Sequence, residues 1–248
     1  MIDLAGRRAL ITGGTRGLGR AIATCLASAG AEIHVVDVAD RGDIPADWGH
    51  MPLDLTLPEA EVALTGYVEG LGGLDILIAN AGMVPPWRRV ADLDWAEWDN
   101  AFALNVRGVA LSLKACAPAL ARSRAGSAVL MASLNGYKAH PDQTLYTTTK
   151  HAVLGLMRAA ALDLGRDGVR VNALAPGPIM TDALRGRIEA RAAQGGTPAD
   201  TAIAGLIAET ALGRMATEQD VARAATYLAS DLASGVTGIC LPVEAGLA

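Results

Sequence analysis

The chain has 248 residues, of which 51% are hydrophobic and only 4% aromatic, and its formal net charge is −5. This length suits a single α/β domain with a core of small aliphatic side chains. The acidic balance and the lack of a dense Lys/Arg run argue against nucleic acid as a partner. No apolar run reaches the roughly 20 residues of a membrane span, so we expect neither a membrane anchor nor a signal peptide.

Short apolar, β-branched segments alternate along the chain with Ala- and Leu-rich helical segments. This alternation predicts a Rossmann-type, doubly wound parallel sheet in one α/β domain, with helices on both faces. Such sheets bind ligands beyond the carboxyl ends of their strands. The predicted strands are 8–12, 33–38, 74–79, 127–132 and 170–175, and the predicted helices are 20–29, 95–120 and 146–165.

Residues 177–217 interrupt the alternation with glycines and an Ala-rich, partly charged stretch. We predict that this segment forms a helical lid over the substrate. The charged run from Arg185 to Arg191 within it is interpreted as a solvated helix face.

A glycine-rich turn, TGGTRGLG at residues 12–19, follows the first strand and opens the first helix. Its glycines allow a tight turn and a close approach of the backbone to a pyrophosphate at the positive helix end. We therefore predict a dinucleotide site here. The predicted contacts are Gly13, Thr15, Arg16, Gly17, Leu18 and Gly19.

The cofactor preference depends on Asp37, which ends the second strand 18 residues beyond Gly19. A carboxylate there accepts hydrogen bonds from the adenosine ribose and repels a 2′-phosphate, which favours NAD over NADP. Arg16 and Arg41 favour NADP instead, because a cation near the turn can pair with that phosphate. The carboxylate stands at the discriminating position, so we predict NAD.

The catalytic candidates are Tyr146 and Lys150, which lie four residues apart and therefore on one face of a predicted helix. An ammonium beside the phenol is expected to lower the tyrosine pKa toward neutrality. Such a tyrosine can exchange a proton with an alcohol or carbonyl oxygen while hydride moves to or from a nicotinamide. Ser133, just past the strand at 127–132, can hold the same oxygen.

These motifs, in this order, resemble those of the classical short-chain dehydrogenase/reductase family, and the resemblance spans essentially the whole chain. The matching residues are Thr12, Gly13, Gly17 and Gly19 of the loop, Asn80-Ala81-Gly82, Asn105, Ser133, Tyr146 and Lys150, and Pro176-Gly177 followed by Thr181. The sequence departs from the family in residues 38–52, which are short and rich in Gly, Pro and Asp where a full helix is usual. A milder departure is Ala79, where an additional Asn is common.

The resemblance implies further roles. Lys150 is expected to bind the nicotinamide ribose as well, and Asn105 to support a proton relay through water. Ile179 and Thr181 are expected to contact the nicotinamide amide. A homotetramer is implied too, packed through helices near 99–120 and 146–165. The remaining cofactor contacts that it implies are Asp54 and Leu55 along the adenine, with Asn80, Ala81, Gly82, Pro176 and Gly177.

The substrate pocket is predicted from side chains that follow the strands and flank the catalytic helix. Their mixed character indicates a moderately sized, partly apolar molecule, and none of them requires a carboxylate or phosphate on the substrate. The candidates are Met83, Trp87, Asn135, Tyr137, His140, Gln143, Met180 and Leu184.

No metal site is predicted, because the histidines and cysteines lack the spacing of a ligand set. Three widely separated cysteines also argue against a disulfide framework, which favours a reducing, cytoplasmic location. The cysteines are Cys25, Cys116 and Cys240, and the histidines are His34, His50, His140 and His151.

The sequence thus predicts an NAD-dependent oxidoreductase that interconverts a secondary alcohol and a ketone, with a small-molecule substrate and Tyr146 as acid and base. An NADPH enzyme like the 3-oxoacyl-carrier-protein reductases is the enzymatic alternative, since Gln143 resembles a position in those proteins. Neither Asp37 nor the acidic net charge favours it, because an acidic carrier protein needs a basic docking patch. A non-catalytic, cofactor-binding regulatory protein is the alternative of another class.

Overall fold

The strands of the protein form a single layer between two layers of helices. The computed structural model describes residues 2–193 and 195–247, apart from the side chains of residues 182 and 183. Within these residues seven parallel strands form one sheet, in the order β3-β2-β1-β4-β5-β6-β7, which confirms the predicted single-domain, doubly wound fold. The strands are β1 Arg8–Thr12, β2 Glu32–Asp37, β3 Gly49–Pro52, β4 Ile76–Ala79, β5 Ser127–Met131, β6 Arg170–Pro176 and β7 Cys240–Val243. The helices are α1 Gly17–Ser28, α2 Ala60–Gly70, α3 Trp95–Phe102, α4 Val109–Arg122, α5 Thr144–Leu164, α6 Asp182–Ala193, α7 Ala199–Ala208 and α8 Glu218–Ala229.

The sheet separates two hydrophobic cores, because successive strand residues point to opposite faces. Ala9 and Ile11 of β1 belong to the core shared with α1 and α8. Leu10, between them, belongs to the core shared with α2, α4 and α5. Burying one large aliphatic side chain contributes roughly 1.5–3 kcal/mol to folding, so each strand stabilises both layers. This double burial explains why the strands read as continuous apolar runs.

The helix predicted at 95–120 is present and runs continuously over residues 95–122, but it contains a π-helical turn that the prediction lacked. The structure places a π-helical turn at Ala103–Gly108 between α3 and α4. A π-turn inserts an extra residue into the helical register, so each side keeps the helical period while the apolar face rotates by about 100° across the turn. The prediction of one regular α-helix did not include this shift.

Four elements were absent from the prediction, namely β3, β7, α2 and α8. The two strands lie at the edges of the sheet and are only partly buried, so they lack the apolar runs of the central strands. Helix α8 carried a usable signal, because Thr217 and Asp220 form a reciprocal capping box at its start.

The crossover from β2 to β3 contains no helix in the chain as described, which agrees with the departure noted at residues 38–52. Ile44 and Trp48 fill the place of a helix by packing into the core beside α1. The Arg41 guanidinium donates to the carbonyls of Pro45 and Trp48, at 2.6 and 2.7 Å. Arg20 of α1 lies over the Trp48 ring, 5.1 Å from its centroid. Arg41 is therefore engaged within its own loop.

The described residues offer neither a membrane-spanning helix nor a cluster of metal ligands. No helix there is long and apolar enough to cross a membrane. The same residues contain no group of three or more His, Cys, Asp or Glu side chains arranged to hold a metal ion.

Candidate active site at the carboxyl end of the sheet

A cleft of about 870 Å³ opens beyond the carboxyl ends of the strands and collects most of the predicted site residues. The predicted catalytic and cofactor residues that line it are Gly13, Arg16, Leu18, Gly19, Asp37, Leu55, Asn80, Ala81, Gly82, Ser133, Tyr146, Lys150, Pro176, Gly177, Ile179 and Thr181. The predicted substrate residues that line it are Met83, Trp87, Asn135, His140, Gln143 and Leu184. The lining as described leaves out Thr15, Gly17, Asp54, Asn105, Tyr137 and Met180.

The glycine-rich turn is locked to the end of β4. The Asn80 side chain donates from Nδ2 to the carbonyls of Thr12 and Gly13, at 3.0 and 2.9 Å. The Thr12 hydroxyl accepts in return from the backbone N–H groups of Asn80 and Ala81, at 3.1 and 3.0 Å. At Gly19 a Cβ would stand 2.0 Å from the Gly13 carbonyl oxygen, so no other residue fits. The turn is thus held in one conformation without any ligand.

The start of α1 is suited to an anion. Gly17, its first residue, has a φ of +55°, which side-chain-bearing residues rarely adopt. Among the described residues no side chain caps this helix, so its first N–H groups are available at the positive end of the helix dipole. Uncapped N–H groups behind glycines fit the pyrophosphate of a dinucleotide.

Asp37 lines the cleft at the end of β2 as a largely buried carboxylate. One carboxylate oxygen accepts from the Thr15 hydroxyl at 2.7 Å and from the Thr15 backbone N–H at 3.1 Å. Burial acts to raise the pKa of Asp37, but these bonds and those from the following backbone outweigh it, and the pKa is lowered. Asp37 is therefore ionised at neutral pH. Thr15 does not line the cleft itself but holds the Asp37 carboxylate, which does.

Tyr146 and Lys150 lie on the first turns of α5, with the Lys150 Nζ 5.7 Å from the centre of the Tyr146 ring. Nζ donates to the Met131 carbonyl at the end of β5, at 2.8 Å. Burial lowers the pKa of Lys150 to about 8. The ammonium is thus fixed beneath the tyrosine by the sheet itself.

The pKa of Tyr146 differs from the sequence expectation. Burial of the phenol raises this pKa, while a hydrogen bond with Ser133 and the positive charge of Arg187 act in the opposite direction. The predicted lowering of the Tyr146 pKa by Lys150 is wrong, because desolvation dominates and the Lys150 ammonium is directed at the Met131 carbonyl. The Ser133 hydroxyl also accepts from the Asn135 N–H at 3.2 Å.

Asn105 lies in the π-turn, fully buried behind the cleft wall. Its side chain accepts from the N–H of Met83 and donates to the carbonyl of the same residue, both at 2.8 Å. It also donates to the Thr149 hydroxyl at 3.3 Å. The amide thus ties the segment after β4 to α5. Its role in a proton relay stays a prediction.

The substrate end of the cleft is built by the loop between β5 and α5. Asn135 donates from Nδ2 to the Gln143 side chain at 2.8 Å and to the Thr147 hydroxyl at 3.1 Å. Tyr137 points elsewhere and donates its hydroxyl to the Glu244 carboxylate. Met180 lines a separate depression beside Ala21 and Gln219. The assignment of Tyr137 and Met180 to the substrate pocket therefore finds no support in this geometry.

Sequence reasoning missed part of the cleft, above all Arg187. The charged run on α6 was interpreted as solvated, yet Arg187 lines the cleft and is only partly exposed. A signal was available, because Leu184 and Ile188 place apolar side chains one helical turn apart on the same face. The other lid and tail residues that were missed are Ile188, Leu206, Glu209 and Leu247.

The chain is similar to known proteins over nearly its whole length. The family model described as enoyl-(acyl carrier protein) reductase matches residues 13–248. The chain is 34% identical over 254 residues to the 2,5-dichloro-2,5-cyclohexadiene-1,4-diol dehydrogenase of Sphingobium indicum, covering 99% of this chain and 98% of that protein. It is 35% identical over 252 residues to the cis-4-hydroxycyclohexanecarboxylate dehydrogenase of Sinomonas cyclohexanicum, covering 98% and 96%. The structure of carveol dehydrogenase from Mycobacterium avium in complex with NAD superposes with a TM-score of 0.89 and 32% identity, covering 99% of both chains.

A parallel sheet with a glycine-rich turn after its first strand and a half-buried tyrosine above a buried lysine defines a nicotinamide-dependent oxidoreductase acting on CH–OH groups. With these full-length matches, the chain belongs to the short-chain dehydrogenase/reductase family.

Proposed function

We propose that the protein interconverts a secondary alcohol and a ketone with NAD, using Tyr146 as general acid and base. The observation that carries this proposal is the half-buried Tyr146 phenol, which lines the cleft together with Ser133 and lies above the ammonium of Lys150. A desolvated acid and base beside a fixed cation is suited to reversible proton transfer.

In the oxidation direction the hydroxyls of Ser133 and Tyr146 hold the alcohol oxygen between them. Tyr146, as phenolate, takes the proton of the substrate hydroxyl while the C–H bond breaks at the carbon that carries this hydroxyl. When bound, the nicotinamide supplies the acceptor for that hydride. The Met131 carbonyl keeps the Lys150 ammonium in place beneath the Tyr146 ring, where the family resemblance implies that the ammonium also binds the nicotinamide ribose. In the reduction direction Tyr146 donates the proton to the ketone oxygen.

The preference for NAD is supported by Asp37 and by Arg41. An ionised Asp37 carboxylate repels a 2′-phosphate and attracts ribose hydroxyls. Arg41, which could have balanced that phosphate, donates to two carbonyls of its own loop instead. Arg16 lines the cleft as an exposed side chain and is the remaining cation near the turn.

A cyclic alcohol of moderate size is the substrate class we favour. Both relatives named above are dehydrogenases of ring alcohols by their names. The cleft offers apolar walls from Met83, Trp87 and Leu184 beside polar groups from Asn135 and Gln143. The homotetramer that the resemblance implies remains part of this proposal.

The test is the initial rate on a panel of cyclic secondary alcohols and their ketones, for native protein and Tyr146→Phe. We expect the substitution to lower kcat by roughly 10²–10⁴-fold, with NADH affinity by fluorescence titration unchanged. Tyr227→Phe, on α8 and outside the cleft lining, is the matched control and should retain full activity. Turnover that survives Tyr146→Phe would overturn the assignment.

A further inference from the structure

Helix α6 presents one face to the cleft and another to solvent. Leu184, Arg187 and Ile188 line the cleft, as residues three and four apart on one helix can. Arg185 and Glu189 lie on the exposed face. The helix thus places the Arg187 cation on the wall of the cleft, while the charges of Arg185 and Glu189 on its exposed face lie in water.

The Arg187 side chain is incompletely paired. Its Nε is buried and has no hydrogen-bond partner within the part of the chain that is described. The other side-chain hydrogen bonds and ion pairs of these residues do not involve its guanidinium either. A buried N–H without an acceptor costs free energy, and native structures seldom leave one unpaired unless something else supplies the acceptor.

Other charged groups near the cleft do not supply that acceptor. Glu209 lines the cleft from the end of α7 but is exposed and forms no ion pair with Arg187 in the described chain. Asp142 pairs instead with Arg191, at 3.9 Å, and the Arg191 guanidinium also lies 5.0 Å from the centre of the Trp87 ring. Arg187 is therefore left facing the open pocket.

Arg187 stands toward the reactive end of the cleft, because Arg191, one turn further along α6, contacts Trp87 and Asp142 in the segments next to Tyr146. The charge of Arg187 also acts to lower the pKa of Tyr146. The pyrophosphate site at the start of α1 is a separate part of the lining, built from Gly13 and Gly19. A guanidinium presents paired N–H donors in a planar fork that matches a carboxylate. The buried Nε is out of reach from the cleft, but the terminal N–H groups of Arg187 are not buried and have no partner among the described residues. An anionic group on the substrate could therefore bind them and balance the charge.

We propose that Arg187 binds a carboxylate on the substrate, so that the protein acts on hydroxy acids and keto acids whose reacting carbon is held at Tyr146. This inference rests on the alcohol dehydrogenase function proposed above and narrows its substrate class. The sequence had indicated no residue that requires such a group. Arg187 is then a specificity-determining residue and Glu209, at the rim, tends to repel the same anion.

The experiment compares cyclohexanols that carry a carboxylate at carbon 3 or 4 with the corresponding carboxamides, which have the same shape without the charge. We expect native protein to prefer the acids by about tenfold to a hundredfold in kcat/KM, the range of a charge-assisted bidentate contact. Arg187→Gln should remove that preference through KM on the acids, while any change in kcat caused by the lost charge near Tyr146 should be the same for acids and amides. Arg187→Lys, which keeps the charge but not the fork, should retain part of it.

Arg185→Gln, on the exposed face of the same helix, is the matched control and should leave both substrates unaffected. An equal loss on acids and amides in Arg187→Gln, or native protein that does not prefer the acids, would overturn the inference. If native protein turns over none of these compounds, the proposed function fails for this class, and calorimetric binding to the NAD-loaded protein decides the inference alone. The inference is supported if native protein binds the acid more tightly than the amide and Arg187→Gln does not. Equal binding of the two compounds by native protein, or no binding of either, contradicts the inference.

Discussion

The two ends of the cleft differ in how complete they are without a ligand. At the cofactor end, Asn80 and Thr12 join the glycine turn to β4, and Thr15 binds Asp37. At the substrate end, none of the described residues of α7 is buried, and Arg187 keeps an unpaired buried Nε. At the proposed cofactor end, backbone groups and short side chains satisfy one another's hydrogen bonds. At the proposed substrate end, the lining side chains have fewer partners among the described residues.

The largest effect within this comparison is expected from substitution of Asp37, because the cofactor preference proposed for this end of the cleft depends on the charge of that carboxylate. Asp37→Ala should reduce the preference for NAD over NADP by about tenfold to a hundredfold in kcat/KM, since the 2′-phosphate no longer meets an ionised carboxylate. The measurement is the ratio of specificity constants with the two cofactors. Asp40→Ala, an exposed carboxylate three residues on, should leave the ratio unchanged. An unchanged ratio in Asp37→Ala would remove this residue from the cofactor argument.

A smaller effect is expected at Lys150, where function opposes stability. The pKa of this lysine is about 8 in the folded chain, against an ordinary value of 10.5, because of burial. Below pH 8 the folded chain carries the full cost of a buried charge. Between pH 8 and 10.5 the folded lysine is neutral while the unfolded one stays protonated, so this cost falls as pH rises. Lys150→Met should therefore be more stable than native protein at pH 7, by on the order of 1–3 kcal/mol.

Urea unfolding at several pH values measures that difference, which should shrink toward zero by pH 10. Lys114→Met, at an exposed lysine paired with Glu61, is the control and should show no such trend. A Lys150→Met protein less stable than native at pH 7, or a difference independent of pH, would contradict the argument. Activity should be lost in either case, as expected where a site is built at the expense of stability.

The smallest effect is expected at the contact that holds the lid. Arg191→Ala removes a stacking contact with Trp87 and an ion pair with Asp142, each worth about 0.5–1 kcal/mol where exposed. We expect cleavage by thermolysin within α6 and α7 to become a few times faster, with the melting temperature almost unchanged. Arg185→Ala on the same helix is the control. Equal cleavage rates in the two variants would show that Arg191 does not restrain the lid.

The same contrast explains what could be predicted from the sequence. The glycine turn and Asp37 occupy fixed positions relative to strand ends, so local spacing was sufficient to find them. Arg187 enters the cleft because α6 folds over it. The spacing of Leu184 and Ile188 marks an apolar face on that helix but does not show what the face covers. The π-turn around Asn105 was invisible for a related reason, since the Asn105 side chain is held by tertiary hydrogen bonds to Met83. The parallel sheet and its two helix layers followed from alternation, while the partly buried edge strands β3 and β7 did not.

The helix-free crossover before β3 has a consequence for how the molecule opens. β3 pairs with β2 alone, and the loop that leads to it is secured mainly by Trp48, Ile44 and the bonds of Arg41. Few backbone hydrogen bonds protect this edge, so amide hydrogens there should exchange with solvent earlier than those of the central strands. Leu53, directly after β3, lines the cleft. A bound adenine would therefore slow exchange along this edge, and fraying of the edge would in turn weaken cofactor affinity.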